Sequence, residues 1–219
     1  MASFLHAAYI EELEYNEWKR LIWRNYMMLI RKYEKEYETG WLRCRILSFL
    51  DTAYFDNVLK EKEIYQNPAI ELVAIIEGQV VGLIDVEYER EEKTVCTSDE
   101  GLGGMIWHIA VHPDFQRKGI GQKLLLAAEK FAKEIGLHYL EAWTRDDKWV
   151  NAWYVKSGFV NRSSYLHVLM EDGGLNHLKS DIPNLNPVQA WAHYTGEDKE
   201  KIKGKFKRVH ACFSYTKML

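Results

Sequence analysis

One stretch constrains this chain more than any other: residues 105 to 136, MIWHIAVHPDFQRKGIGQKLLLAAEKFAKEIG. Met105 to Val111 is an apolar, β-prone run that predicts a buried strand. Pro113 and a polar turn follow, then Gln116-Arg117-Lys118-Gly119-Ile120-Gly121-Gln122. Leu124, Leu125, Ala128, Phe131, Ala132 and Ile135 then recur three and four apart, which predicts an amphipathic helix closed by Gly136. A strand, a glycine turn and a helix start make a ready anion site, because first-turn amides lack partners and the peptide dipoles favour negative charge there. Gly119 and Gly121 keep side chains away from an approaching pyrophosphate, and Arg117 and Lys118 add positive charge. The pattern is not the dinucleotide fingerprint, since the residue three after Gly121 is Leu124, and no G-K-[ST] is present for a P-loop.

The rest of the chain fits one domain. At 219 residues it is long enough for one substantial core, and 47% hydrophobic with 28% charged residues excludes a disordered chain. A net charge of −3 gives no reason to expect nucleic acid. Cys44, Cys96 and Cys212 are odd in number, far apart and without metal-ligand spacing, which predicts free thiols in a reducing cytoplasm and no metal. The first residues, MASFLHAAYIEELE, turn acidic too early for a signal peptide, and no stretch reaches transmembrane length. The sequence allows a homodimer and does not require one.

Taken in order, residues 8 to 13 read as a first strand, and Asn16 caps an expected helix to about Tyr37 with Trp18, Ile22, Leu29 and Tyr33 on one face. Thr39-Gly40 is read as its end. A second helix is expected from Asp51 to Lys62, burying Phe55, Val58 and Leu59, so that N-terminal helices occupy about 14 to 64. Strands at 70–76 and 79–88 meet at Glu77-Gly78, a hairpin signal. Residues 89–104 read as an exposed loop. A strand at 138–144, a helix at 147–157, a strand at 159–170, an irregular insertion at 171–205 and a final strand at 207–215 complete the order.

Two motifs in this order carry a resemblance. IAVHPDFQRKGIG before a leucine-rich helix resembles the acetyl-CoA signature Q/R-x-x-G-x-G/A of the Gcn5-related N-acetyltransferases. Asn151 to Phe159, NAWYVKSGF, resembles the same family's Y-x-K-x-G-F helix end. The likeness covers roughly residues 70 to 170. It implies a single N-acetyltransferase domain over 1–219, of α/β (α+β) class: a mixed, twisted sheet of about seven strands with helices on both faces. It also implies acetyl-CoA as co-substrate and a primary amine as acceptor.

Acetyl transfer from a thioester needs a proton removed from the amine, a donor for the oxyanion and an acid for the thiolate. Tyr154 matches the family's general acid; the other reading is a core tyrosine with a satisfied hydroxyl. Asp147, Asn151 and Tyr154 stand at i, i+4 and i+7, one polar stripe, with Trp149 and Trp153 turned toward the core. The family usually has Asn where Asp147 stands, bonding the pantetheine arm; Asn151 can replace it, and an ordinary helix-start charge is the alternative for Asp147. The resemblance implies that Ile109, Ala110 and Val111 pair with that arm and that an amide near Ala110 to Val111 meets the thioester carbonyl. The amides of Arg117, Lys118, Gly119, Ile120, Gly121 and Gln122 are expected to hold the pyrophosphate, with Gln116 in the same cofactor site.

For the base, the family's strand positions fall on Met105 and Trp107, which take no proton, and His108 points to the opposite face as a packed histidine. Leu140-Glu141-Ala142 resembles the strand that carries a basic Glu in ribosomal-protein alanine acetyltransferases, so Glu141 is the candidate and Glu87 the second. A solvated sheet-edge carboxylate is the alternative for each, and a water relay needs neither. Trp107 and Trp143 are placed to face a cationic amine, with core packing as the other reading. The lysine-rich run 198–208 reads as a solvated loop. Three functions stay open: acetylation of a small-molecule or peptide N-terminal amine, acetylation of a protein, and non-catalytic acyl-CoA sensing.

Overall fold

The computed structural model describes residues 28–176 and 178–219. Eight strands form one sheet: β1 (Leu29–Lys32), β2 (Ala69–Ile76), β3 (Gln79–Tyr88), β4 (Gly103–Val111), β5 (Tyr139–Thr144), β6 (Val160–Glu171), β7 (Gln189–Tyr194) and β8 (Val209–Met218). Their order is β1-β2-β3-β4-β5-β8-β6-β7. Only β4 and β5 pair in parallel; every other pair is antiparallel. The expected mixed α+β sheet is present, with eight strands instead of about seven. Among the described residues four α-helices flank it: α1 (Glu38–Phe49), α2 (Ile120–Ile135), α3 (Lys148–Lys156) and α4 (Lys199–Lys205).

The two faces bury different chemistry. On one, Leu124, Leu125, Ala128 and Ala132 of α2 pack on Leu72, Ile84, Val86 and Ile106, with Tyr154, Phe159 and Tyr215 in the same cluster. On the other, Trp41 and Cys44 of α1 pack on Val73, Val80, Leu83 and Ala110. Burying an aliphatic side chain of this size contributes about 1.5–3 kcal/mol. The three cysteines are buried and free. No helix among the described residues is long and apolar enough to cross a membrane.

Several sequence expectations are corrected. The strand at 8–13 and the start of the first helix lie outside the described residues, but residues 29–32 are a strand on β2. Thr39-Gly40 sits inside the first turn of α1. A β-carbon on Gly40 would lie 2.8 Å from Val80 Cγ2, so this glycine admits close packing and does not stop a helix. Residues 51–62 form turns, with Phe55 and Val58 exposed. Side chains elsewhere hold this segment in place: Asp147 accepts from Ala53 N–H, and Arg45 donates to the Asn57 carbonyl (2.8 Å) and side chain (3.1 Å). The loop before β4 folds over buried Glu89, which accepts from the amides of Val95, Cys96 and Gly103. The insertion contains β7 and α4, and Trp149 is exposed, not turned toward the core.

Candidate active site

Pairing between β4 and β5 runs from Gly103↔Tyr139 to Ile106↔Ala142 and stops. Next on β4 is Trp107, the extra residue of a bulge between Val86↔Ile106 and Asp85↔His108. A bulge turns its strand and raises the local twist, which parts β4 from β5 beyond it. The His112 N–H donates to the Val81 carbonyl at 2.9 Å. By antiparallel alternation, Val111 and Ile109 therefore turn their N–H and C=O groups away from β3 and into the gap, while those of Ala110 face β3. Ser48 Oγ (2.8 Å) and Gln116 Nε2 (3.2 Å) donate to the Val111 carbonyl. The backbone groups open to a guest strand are thus those of Ile109 and the Val111 N–H. Of the Ala110–Val111 pair named in the sequence, Ala110 is directed elsewhere.

At the mouth of the gap the chain turns into α2. Arg117 (φ 59°) and Gly119 (φ 77°) are both left-handed, so the amides curl around the helix start. Gly119 caps α2 without a side-chain bond, and no acidic residue lies in the first turn. A β-carbon on Gly119 would meet nothing within 4 Å, so the ground before these amides is open. The side chains of Gln116, Lys118 and Gln122 are engaged: Lys118 donates to the Asp114 carbonyl (3.1 Å) and Gln122 accepts from Ser157 Oγ (3.2 Å). What this turn offers an anion is its backbone, the exposed Arg117, and the charge of exposed Lys118, which keeps two of its three donors. Gly121 faces Val111 Cγ2 and the Trp153 ring at 3.6 and 3.7 Å from a built β-carbon, so Trp153 walls the gap between α2 and α3.

Tyr154 lies in the core beside this wall, 4% exposed. Its ring stacks on Tyr215 (5.4 Å, 12°) and meets Phe159 and Trp153 edge-on. The hydroxyl is bonded to no described residue. Burial first, then Tyr54 and Tyr215, push the phenol well above its ordinary range, so it keeps its proton. Its helical neighbours are already engaged. Asn151 donates to the carbonyls of Arg145 (2.7 Å) and Asp147 (2.9 Å) and accepts from Tyr215 Oη (2.9 Å). Both Asp147 oxygens lie 3.1 Å from the Ala53 amide. These two residues fasten α3, β8 and the 51–56 turns together; Asn151 has its amide filled, while the half-buried Asp147 holds one N–H and keeps acceptor capacity.

Of the two candidate carboxylates, Glu141 has every lone-pair site filled and Glu87 keeps one on Oε2. Glu141 is 0% exposed. It accepts from the amides of Thr97 and Ser98 (both 2.9 Å), Thr97 Oγ1 (3.0 Å) and Trp143 Nε1 (2.8 Å). All four lone-pair sites are taken, so the side chain is neither a solvated edge carboxylate nor open to an arriving amine. Glu87 is buried too and accepts from Asn67 N–H (2.8 Å) and Nδ2 (3.2 Å) and from Trp107 Nε1 (2.7 Å). His108 is a packed histidine: Arg45 Nε donates to its Nδ1 (3.3 Å), Glu63 bonds its Nε2, and Trp41 meets it edge-on.

Sequence reasoning missed one group of residues. Tyr165 and His167 on β6, Trp191 and His193 on β7, and His210 and Cys212 on β8 share the sheet face that carries Trp143. Trp143 lies against Tyr165 (5.4 Å), Tyr165 against His193 (4.2 Å) and His167 against Trp191 (4.3 Å). The aromatic alternation 191, 193 was the available signal inside a segment read as irregular. Burial first, then Arg145 and the neighbouring histidines, push His167 down to about 4. A folded pKa below the unfolded one means the imidazole is neutral at pH 7. Protonating it on acidification from about 6.5 toward 4 disfavours the fold. An NMR titration is expected to find the ring neutral at pH 5.5; a midpoint near 6.5 contradicts this burial.

The sheet is parted beside an open helix start, with a buried phenol at the gap. A model of the Acetyltransferase (GNAT) family matches residues 15–159, and the chain belongs to that family. It is 28% identical over 109 residues to an acetyltransferase of Pectobacterium atrosepticum, covering 50% of this chain and 67% of the relative. Its fold is similar to that of the Escherichia coli ribosomal-protein-S18-alanine N-acetyltransferase, with TM-score 0.52, 12% identity, and 88% and 94% of the two chains covered. It is equally similar to a Bacillus anthracis acetyltransferase in complex with acetyl coenzyme A, with TM-score 0.52, 13% identity, and 88% and 100% covered.

Proposed function

We propose that this acetyltransferase moves the acetyl group of acetyl-CoA to a primary amine, on a small molecule or a peptide N-terminus, by direct attack on the thioester. The observation that carries the reading is the end of β4–β5 pairing at Ile106 and Ala142, beside an open turn of left-handed residues. The amides from Arg117 to Gln122 hold the pyrophosphate, and Ile109 pairs with the pantetheine arm as a strand would. The amide of Val111 or Ile109 donates to the carbonyl oxygen as charge builds there. Tyr154 donates to the departing sulfur. Glu141 is filled, and Glu87 is buried with three donors on it and one lone-pair site open, so the amine loses its proton to water. Cys44, Cys96 and Cys212 are buried, and burial holds each thiol high, which opposes an acetyl-enzyme.

The phosphate assignment is tested with Gly119→Asn. Asparagine tolerates the left-handed conformation, where a β-branched residue would strain the fold itself. Its side chain enters open space in front of the amides. Calorimetry is expected to find acetyl-CoA bound about 10-fold more weakly or worse, a change of about 1.4 kcal/mol, with melting nearly unchanged. Wild-type affinity in that variant would remove the turn from the site. CoA release across a panel of amines tests the reaction itself.

A further inference from the structure

Arg145, the residue just past β5, is 7% exposed, and its guanidinium is out of balance. Its Cζ lies over the Tyr54 ring, 4.4 Å from the centroid, and over the Trp191 ring at 5.2 Å. Nη1 donates to the Ala53 carbonyl. Nε is sealed and has no partner, and Nη2 bonds no described residue. No carboxylate among the described residues forms an ion pair with it. The two nearby acids are taken: Asp146 accepts from His210 Nδ1 (3.0 Å) and the Ala211 amide (3.2 Å), and Asp56 accepts both arms of Arg208 (2.8 and 3.0 Å). A buried charge without a partner is strongly disfavoured unless something supplies one. Nε and Nη2 form one side of the guanidinium, two parallel N–H groups spaced for the two oxygens of a carboxylate.

The place of this fork matters. Arg145 follows Trp143 and Thr144, the β5 residues that have left β4. It borders the face of Trp143, Tyr165, His167 and Trp191, where the other charge is the Arg208 guanidinium over the same Trp191 ring (4.9 Å), paired with Asp56. We propose that Arg145 binds the carboxylate of the acceptor, which is therefore a small amino-acid-like molecule carrying a primary amine and a carboxylate. The carboxylate takes the Nε/Nη2 side of the guanidinium in its plane, once the side chains that seal Nε give way. The aromatic face receives the body of the acceptor, and its amine is directed to the gap. This rests on the acetyltransferase reading above and narrows its acceptor. Lysine in place of Arg145 keeps the charge and loses the planar fork.

The test uses matched pairs on the wild-type chain: free aromatic and aliphatic amino acids against their carboxamides and against the amines lacking the carboxyl, with phosphoethanolamine as a phosphate arm. CoA release is expected to favour the carboxylate member by at least about 10-fold in kcat/KM, through KM. In Arg145→Lys and Arg145→Gln that preference is expected to fall to within about threefold, with acetyl-CoA affinity unchanged by calorimetry. Binding of the N-acetyl amino acid against its N-acetyl amide gives a second readout without turnover, and the acid should bind at least about 10-fold tighter. Acetylation of amines with no carboxylate preference, or a preference for the phosphate arm, overturns the carboxylate site and leaves the acetyltransferase reading standing. Acetyl-CoA binding without acetylation of any amine overturns both.

Discussion

Tyr154→Phe is expected to lower kcat by about 100-fold while leaving acetyl-CoA affinity within about twofold and melting unchanged. The structure makes this a clean substitution. The Tyr154 ring is held by Tyr215, Phe159 and Trp153 through its faces and edges, all contacts that phenylalanine keeps. The hydroxyl has no partner among the described residues, so its removal strands no group, and the stability change should stay within about 0.5 kcal/mol. A phenol held above its usual range by burial stays protonated throughout the working pH, which suits a group that donates to a developing thiolate. Tyr215→Phe is the control. It removes the hydroxyl that holds Asn151, so it loosens α3 and should cost stability before it costs chemistry. A Tyr154→Phe variant with wild-type kcat, measured where acetyl transfer limits the rate, would reduce Tyr154 to a core residue.

The middle of this chain was readable because two periodicities meet there. β4 is a continuous apolar run, α2 keeps its apolar residues three and four apart, and the left-handed turn between them has glycine at the helix cap, where φ is positive. α1 was not readable for a physical reason. Its buried face is Trp41, Cys44, Arg45 and Ser48, half of it polar, while Leu47 on the same helix is exposed. Arg45 and Ser48 are buried because His108, Asn57 and Val111, distant in sequence, give them partners. Residues 51–62 failed in the opposite way: Phe55 and Val58 imitate a helical stripe and face solvent. β7 is an edge strand with one paired neighbour and an exposed face, so Trp191 and His193 sit among residues that look like loop.

The candidate site divides along the same line. Backbone contributions were legible, because glycine spacing and strand–helix order fix where amides point. Side-chain roles were not, because Asn151 and Glu141 are filled, and Asp147 and Glu87 partly engaged, by donors and acceptors from other segments. Ala53 is 94 positions from Asp147, and Thr97 is 44 from Glu141. Family likeness and strand position located these side chains but carried no information about which partners they already held. Arg145 went unnoticed for the converse reason: being unpaired is a property of the surroundings, not of the sequence.

Glu141→Gln is expected to unfold at lower temperature without losing the reaction's response to pH. The carboxylate is sealed, and two backbone amides, a hydroxyl and an indole N–H converge on it. Glutamine keeps one oxygen for the Thr97 and Ser98 amides, and Thr97 Oγ1 can turn to accept from the new NH2. Trp143 Nε1–H then faces a donor, and every remaining bond is weaker for want of charge. A cost of about 2 kcal/mol follows, which for a chain of this size lowers Tm by about 5 °C. Glu141→Ala strands all four donors in a dry site and should cost about twice as much, freeing the loop before β4. Neither change removes a proton acceptor from the reaction, so kcat/KM at low temperature should stay within about threefold, rising with pH along one limb set by the amine. A general base predicts the reverse: Glu141→Gln melting like wild type, with kcat/KM lowered by about 100-fold and the acidic limb gone. That result would return Glu141 to the reaction and require its four bonds to open when the acceptor binds.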